Sequence, residues 1–220
     1  MHRLFVYWRD YLDIYKTIQK EAFGEFVERH SKFISYAKPV ETEDDAISFI
    51  NKIKTKHWDA KHNVYAYSLL KGSIMRYSDD GEPHGTAGVP VLDILKKNEV
   101  TNIVIVVTRY FGGILLGTGG LVRAYSSAAK LALDSAVVIN MVSCFRAQLF
   151  CDYSLYGKIS SILAELGAKI EESEFLDNVK IIFYIEKKKL NILNDKLNEV
   201  SSGEIITKIL EEKYTKINLV

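Results

Sequence analysis

A short segment, residues 102–108 (NIVIVVT), constrains the fold more than any other part of the chain. Its positions 103–108 are all β-branched, so apolar side chains fall on both faces rather than on alternate ones. Such a segment buries both faces only as a central strand of a sheet that is covered on each side. The sequence therefore predicts a layered α+β arrangement around this strand.

The segment that follows is rich in glycine and leads into a long helix, predicted at 118–138. Small residues recur along the contact face of that helix and let it lie close to a sheet: Ala124, Ala128, Ala129, Ala132 and Ala136. So many glycines are costly in backbone entropy unless something approaches the backbone closely, such as a phosphate or another chain. The order of strand, glycine-rich loop and helix is typical of phosphate-binding loops, yet neither established glycine spacing is present and the loop contains no lysine.

A second stretch, residues 76–88 (RYSDDGEPHGTAG), concentrates charge and glycine. Asp79 and Gly81 fit a turn, because Asp side chains bond their own backbone and Gly supplies positive φ. The GTAG segment precedes a short helix predicted at 89–97, whose free N–H groups near Thr86 and Gly88 would favour an anion. The alternative is an ordinary capped helix start.

Three arginines, Arg76, Arg109 and Arg123, flank these two loops. If the loops converge, guanidinium groups and backbone N–H groups would surround a phosphate. The acidic side chains nearby would pair with the arginines, hold Mg²⁺ against the phosphate, or act with His84 in acid–base catalysis. The alternative is a closed arginine–carboxylate network that only fixes the loops. The candidate catalytic residues are Asp79, Asp80, Glu82 and His84; no cofactor is expected apart from Mg²⁺ with a phosphate ligand.

The remaining front part is predicted as an antiparallel pair at 23–40 that turns near 29–31, a helix opened by Thr42, and a strand at 63–70. The last third alternates as βαββαβ, the ferredoxin-like order. Its predicted elements are a strand at 145–153, a helix capped by Ser154, a strand at 169–176, a turn at 177–178, a strand at 179–186, a second helix and a strand at 204–212. This predicts two domains, 15–140 and 144–220, after an extension at 1–14 of uncertain status.

Composition excludes some classes of function. The formal net charge is +1, so no global field favours nucleic acid or membrane and any anion site is local. The apolar run at residues 4–8 is too short for a signal peptide or a membrane span. The only two cysteines, Cys144 and Cys151, are expected to be small core residues in a reducing cytoplasm.

Three segments, HNVYAYSL, RYSDDGEPHGTAGVPVLDIL and NIVIVVTRYFGGILLGTGGLVRAYSSAA, resemble the IMPACT family in its bacterial YigZ-type branch. The resemblance extends over residues 15–138, and the rest resembles the C-terminal domain of bacterial members. The matched positions are His62, Asn63, Arg76, Asp79, Asp80, Gly81, Glu82, Pro83, Gly85, Thr86, Gly88, Arg109, Tyr110, Gly112, Gly113, Gly117, Gly119, Gly120, Arg123 and Tyr125. The family usually has Ser in place of His84 and Lys in place of Leu115, so the loop lacks a mobile cation.

The resemblance implies a fold for each half. The first should be the left-handed βαβ class of a small-subunit ribosomal protein domain, elongation factor G domain IV and the GHMP kinases. The second should be ferredoxin-like, as in elongation factor G. It also implies a link to translation or RNA without a settled activity.

Three functions remain open at this point. The first is a non-enzymatic translation-associated module that binds RNA phosphate or a ribosomal or protein partner through the glycine-rich loops and arginines, with no DNA reading and no membrane contact. The second is a Mg²⁺-dependent enzyme that binds a nucleotide or another phosphate ligand. The third is a protein-interaction scaffold that uses the sheet face of the last domain, where Lys180, Ile182, Tyr184 and Glu186 share one side.

Overall fold

The computed structural model describes residues 13–216, which form ten strands and five α-helices. The predicted extension therefore lies almost wholly outside the described residues. The strands are β1 (Ile14–Ile18), β2 (Ala22–Glu28), β3 (Ser31–Pro39), β4 (His62–Leu69), β5 (Ile74–Ser78), β6 (Ile103–Tyr110), β7 (Val138–Cys151), β8 (Lys169–Phe175), β9 (Val179–Glu186) and β10 (Lys208–Lys216). The helices are α1 (Glu43–Lys56), α2 (Gly88–Lys97), α3 (Gly117–Ser135), α4 (Tyr153–Glu165) and α5 (Leu190–Ser201).

The chain divides into two compact units, one mainly Tyr15–Asn140 and the other from Met141 onward. The first holds a five-stranded sheet in the order β2-β3-β6-β4-β5, in which every neighbouring pair is antiparallel. β3 and β4 therefore run parallel to each other on either side of β6, and α1 connects them. The mixed α+β, two-domain layout predicted from the sequence is confirmed.

The central strand of that sheet, β6, is buried on both faces as predicted. Ile103, Ile105 and Val107 lie in one core with α2 and α3. Val104 and Val106 lie in a second core with α1 on the opposite face. The predicted alanines of α3 are all buried in the first core, so this helix packs directly on the sheet.

The first helix begins as the sequence predicts. Thr42 is its N-cap, and its hydroxyl accepts a hydrogen bond from the Asp45 N–H at 3.1 Å. The predicted buried stripe is confirmed at Ala46, Phe49, Ile50 and Ile53. The hairpin turn before β3 is also confirmed, with Arg29 and His30 both at positive φ.

The second unit has the predicted βαββαβ order, β7-α4-β8-β9-α5-β10. Its sheet follows the order β10-β7-β9-β8 with antiparallel neighbours, as in a ferredoxin-like fold. Apolar side chains of β9, α4 and α5 form one core. Cys144 and Cys151 are buried, and burial raises the pKa of the Cys144 thiol to about 11.

Some element boundaries were predicted wrongly. β7 begins at Val138, so α3 ends earlier than expected and the strand runs through the segment predicted as a boundary. Ser154 does not cap α4; Asp152 is the N-cap position, without a side-chain hydrogen bond. The last strand is Lys208–Lys216 rather than 204–212. Pairing with β7, and not only the apolar pattern of its own residues, sets the limits of this strand.

Candidate functional site

Asp79 closes the start of α2 with its own carboxylate. Its Oδ1 accepts hydrogen bonds from the N–H groups of Ala87 (3.1 Å) and Gly88 (2.8 Å), and its Oδ2 accepts one from Gly85 (2.9 Å). Burial alone would raise the pKa of Asp79, but these backbone hydrogen bonds outweigh burial and hold the pKa below its ordinary value. The helix start is therefore already satisfied by an internal anion.

This arrangement corrects one part of the predicted anion site. The Gly88 N–H donates to Asp79 rather than to a bound ligand, and the Thr86 hydroxyl donates to the Pro83 carbonyl at 2.7 Å. The capped helix start, which was the alternative, is what the structure contains. His84 is 94% exposed in its side chain and lies 3.7 Å from the Asp79 carboxylate.

Asp80 ties the same turn to two other elements. Its Oδ2 accepts the N–H of Asn63 at 2.7 Å, and its Oδ1 lies 2.7 Å from the Lys54 ammonium of α1. Its carbonyl lies 2.8 Å from the Nδ1 of His62. Asn63 in turn accepts from the Thr108 hydroxyl at 2.7 Å. Asp80 therefore joins the turn, β4 and α1.

Glu82 sits in a closed, buried network. Its Oε1 accepts from the Arg109 guanidinium at 2.7 Å and from the Tyr125 hydroxyl at 2.7 Å. Arg109 is only 5% exposed and Tyr125 is fully buried. Burial, followed by the Glu82 charge, raises the pKa of Tyr125. The residues that the sequence suggested for catalysis, apart from His84, each have structural partners.

Arg109 is therefore not available to an external phosphate, contrary to the prediction. Besides Glu82 it contacts the hydroxyl of Ser31 at 3.3 Å, and its guanidinium lies over the rings of Phe33 and Phe111. The same Ser31 hydroxyl accepts the Gly112 N–H at 3.2 Å. Arg109 and Ser31 thus anchor the glycine-rich loop, defined here as residues 111–117, to the β2–β3 hairpin.

Arg76 is exposed, but it lies on β5 at the far edge of the sheet from β2. Four strand spacings separate these edges, about 19 Å. Its register partner on β4 is Tyr67, which lies in the α1 core, so Arg76 is on the α1 side. The three predicted arginines are therefore not brought together.

Gly112 and the other glycines of the loop have different roles. A Cβ at Gly112 would lie 2.0 Å from the carbonyl carbon of His30, so only glycine fits where the loop crosses the hairpin. Gly113 and Gly117 adopt φ of +81° and +71°, which favours glycine. Added Cβ atoms at Gly113, Gly117 and Gly119 would meet open space.

The start of α3 is the more open of the two helix starts. Leu116 occupies its N-cap position and supplies no side-chain hydrogen bond. Gly117, Thr118 and Gly119 are exposed, and so are Ile114 and Leu115 in the loop before them. The first N–H groups of this helix are therefore presented at the surface with the positive end of its dipole.

A cleft of about 260 Å³ runs beside the first turns of α3. We call it the arginine cleft, because Arg29 of the hairpin and Arg123 of the helix both line it; its other lining residues are Phe26, Glu28, Leu116, Gly120, Ala124 and Ser127. Arg123 was predicted to bind an anion. Arg29 was missed, because a residue in a predicted turn carries no signal of what its hairpin packs against.

The sequence also missed a chain of side-chain hydrogen bonds around His57. Lys56 donates to the Tyr36 hydroxyl at 3.2 Å, and that hydroxyl lies 2.7 Å from His57 Nε2. His57 Nδ1 lies 2.9 Å from the Tyr110 hydroxyl, which donates to Asp59 at 3.0 Å. With Lys56 donating to Tyr36 and Tyr110 donating to Asp59, a neutral His57 with its proton on Nδ1 gives every group in the chain a partner. Burial, followed by the Lys56 charge, lowers the pKa of His57.

The sheet face proposed as a scaffold surface is crossed by ion pairs. Lys180 pairs with Glu174 at 3.1 Å, and the Tyr184 hydroxyl donates to Glu171 at 3.2 Å. Glu186 pairs with Lys188 and Lys189, while Ile182 is buried beneath this layer. The face is therefore charged and internally paired rather than apolar and bare.

The remaining classes of site are metal centres and membrane spans. Within residues 13–216, no cluster of three or more His, Cys, Asp or Glu side chains is placed to hold a metal ion. Over the same residues, no helix is both long enough and apolar enough to cross a membrane.

Comparison with known proteins matches both units. The model of the Impact N-terminal domain matches residues 29–133, and that of a domain of unknown function, DUF1949, matches residues 149–204. The IMPACT family member YvyE of Bacillus subtilis is 39% identical over 194 residues, 88% of this chain and 89% of that protein. The IMPACT family member YigZ of Escherichia coli is 32% identical, over 84% of this chain and 92% of that protein.

A solved structure also resembles the whole chain. It is described as the crystal structure of a hypothetical protein, and it is 29% identical with a TM-score of 0.60. The alignment covers 92% of this chain and all of that one. The family resemblance predicted from the sequence is confirmed by these matches.

Proposed function

The chain belongs to the IMPACT family, and from this premise we propose that it is a translation-associated module that binds the phosphate backbone of RNA through the arginine cleft. The observation that carries the proposal is that Arg29 and Arg123 both line the cleft beside the exposed first turn of α3. Arginine offers a planar fork of donors that suits phosphate, and an open helix start adds N–H groups and a positive dipole end.

The conformation of the hairpin turn supports this proposal. Arg29 and His30 have φ of +43° and +66°, a conformation that non-glycine residues rarely adopt. Asn and Gly usually fill such turns, so an arginine there sacrifices stability. Positions held in rare conformations cluster at functional sites. A contact between the Arg29 guanidinium and a ligand would explain why an arginine occupies the tip of this hairpin.

The local charge sets an upper limit on the affinity. Glu28 also lines the arginine cleft and offsets one of its two positive charges. The overall formal charge of +1 adds no long-range attraction. The proposal therefore predicts modest binding that weakens steeply with salt.

The test compares two sets of arginine variants in binding to a labelled 20-base-pair RNA duplex across a salt series. Arg29→Asn with Arg123→Ala removes both cleft cations, and Asn is chosen because it tolerates positive φ. The logarithm of the affinity falls as the logarithm of the salt concentration rises. Each lost phosphate contact should make this fall less steep, by about 1 in slope. The matched control is Arg76→Ala, an exposed arginine at the opposite edge of the sheet, which should bind as the unchanged protein does.

Two results would contradict the proposal. One is an unchanged affinity and salt slope after both cleft arginines are removed. The other is an equal loss in the Arg76→Ala control, which would place the cation contacts elsewhere. Thermal unfolding of each variant checks that a loss of binding does not reflect a loss of folded protein.

A further inference from the structure

The side of the first sheet that carries α1 leaves an aromatic surface uncovered at β2. Phe23 lies opposite Tyr36 in the β2–β3 register, with ring centroids 6.4 Å apart, and is 67% exposed. Val27, four residues along the same strand and on the same side, is 64% exposed. The buried side chains of α1 pack in the core with β4, β6 and β3, so β2 carries apolar side chains that no helix among residues 13–216 covers.

Two further aromatic residues extend this surface at the end of α1. Tyr110 on β6 contacts the ring of His57, with centroids 5.9 Å apart. Trp58 is 83% exposed and lies in the chain between His57 and Asp59, both of which bond the Tyr110 hydroxyl. We call Phe23, Trp58 and Tyr110, together with the buried Tyr36 whose ring contacts those of Phe23 and His57, the aromatic face.

Lysines surround the aromatic face. The Lys56 ammonium lies 4.8 Å above the Tyr36 ring, and that of Lys38 lies 5.4 Å from the Phe49 ring next to it. Lys32 lies on the same side and pairs with Glu25 at 3.0 Å. Besides Glu25, the nearby acids are Asp59, which accepts a hydrogen bond from Tyr110, and Asp45, which interacts electrostatically with Lys38. Three lysines therefore lie among three acids here, with aromatic rings beside them.

The combination of aromatic rings and lysines favours one of the possible ligands of this face over the others. Bases of a single strand stack on aromatic rings while cations hold its backbone, whereas a duplex keeps its bases stacked on one another. A second copy of this chain fits less well. Antiparallel pairing of two β2 strands about their middle would set Glu25 against its own counterpart, and like charges opposite each other are destabilising.

The aromatic face lies on the α1 side of the sheet and the arginine cleft on the α3 side, and the end of β2 connects them along the chain. β2 ends at Glu28, directly before Arg29, and Tyr110 is followed by Phe111, which opens the glycine-rich loop. Phe111 is itself 44% exposed, with the Lys61 ammonium 5.8 Å from its ring. A strand bound in the cleft thus has a route around the end of the sheet onto the aromatic face.

We propose that the aromatic face binds the bases of single-stranded RNA, with Phe23 and Trp58 as stacking residues, while the arginine cleft holds the phosphate backbone of the same strand. The inference rests on the proposed function and deepens it, because it names single-stranded rather than duplex RNA as the preferred ligand. Phe23 and Trp58 act by stacking and therefore add affinity for unpaired bases only.

The experiment measures the fluorescence anisotropy of labelled U12 RNA and of an RNA duplex with Phe23→Ala and Trp58→Ala. Each change should weaken U12 binding about tenfold and leave duplex binding unchanged. Trp58→Phe should retain most of the affinity, since it keeps an aromatic ring. The control is Phe150→Ala, an exposed aromatic residue of β7 that lies outside the aromatic face.

The outcomes separate this inference from the proposed function. If Arg29→Asn with Arg123→Ala weakens binding while both aromatic changes have no effect, the aromatic face serves another partner and this inference is overturned alone. An equal loss of duplex RNA binding in the aromatic variants also overturns it. If the unchanged protein binds neither RNA, both proposals are overturned.

Discussion

At the scale of single residues, Glu82 is the centre of the polar network in the first unit. Its Oε1 receives two hydrogen bonds, from the buried guanidinium of Arg109 and from the buried hydroxyl of Tyr125. Removing one partner of a buried pair leaves an uncompensated charge, which costs more than the intact pair contributes.

We expect Glu82→Ala to lower the free energy of unfolding by about 3–5 kcal/mol, because Arg109 would be left buried without its anion. Urea unfolding followed by circular dichroism measures this loss. The control is Glu21→Ala, an exposed glutamate before β2, which should change stability by less than about 0.5 kcal/mol. A loss of under 1 kcal/mol for Glu82→Ala would contradict the network described here.

His57 gives a prediction about pH. Its pKa is lowered in the folded protein from an ordinary 6.5, chiefly by burial and then by Lys56, so the unfolded chain takes up this proton first as pH falls. The stabilisation that depends on neutral His57 is therefore complete above pH 6.5 and is lost as pH falls through the lower folded value. His57→Asn should show a smaller drop in urea midpoint between pH 7.5 and 5.5 than the unchanged protein. An equal drop would assign the effect to other groups.

At the scale of elements, the two helix starts next to glycine-rich segments differ in how their first N–H groups are satisfied. Asp79 bonds those near the start of α2, whereas the N-cap residue of α3, Leu116, supplies no side-chain hydrogen bond. The sequence offered GTAG and the glycine-rich loop as equivalent anion sites, since both place glycine before a helix. Which carboxylate folds back onto which helix depends on the turn between β5 and α2, which residue spacing does not fix.

Asp79→Asn should weaken the start of α2 by about 1–2 kcal/mol, since one charged acceptor serves three N–H groups there. The folded pKa of Asp79 lies below its ordinary 3.8, so its contribution is complete above that value and fades as pH falls through the folded one. Thermal unfolding at pH 7 and at pH 3 should therefore show a smaller difference between variant and unchanged protein at pH 3. A difference that does not shrink would contradict the role of the charge.

Two glycines near the start of α3 make a matched pair. Gly112→Ala forces a Cβ against the His30 backbone, so we expect it to destabilise the first unit by about 3 kcal/mol. Gly119→Ala adds a Cβ in open space within a helix, so we expect no loss and up to about 1 kcal/mol of gain. Urea unfolding measures both. Similar losses in the two variants would show that the loop does not pack on the hairpin as described.

At the scale of the whole molecule, the sequence predicted those parts of the fold whose pattern is local. β6, α1 and the βαββαβ order were predicted correctly because each element buries a face that can be recognised within its own residues. The continuous β7 and the late start of β10 were missed, because strand pairing sets their limits and the apolar pattern does not.

The candidate site was less predictable for the same reason. Arg123 and the glycine-rich loop carry a signal in the sequence, but Arg29 gains its position only when the hairpin packs beside α3. Arg76 and Arg109 are also arginines, but they lie elsewhere. Arg76 lies on the far edge strand, and Arg109 is buried against Glu82.

The most direct test of the central claim is the shift of backbone amide NMR signals of the ¹⁵N-labelled protein during titration with RNA. We predict that the signals of Gly117, Gly119 and Gly120 shift progressively, because these residues lie at the open start of α3 beside Arg29 and Arg123. The signals of Gly85 and Gly88 should stay in place, because Asp79 already accepts their hydrogen bonds. Shifts confined to Gly85 and Gly88, with α3 unaffected, would contradict the account.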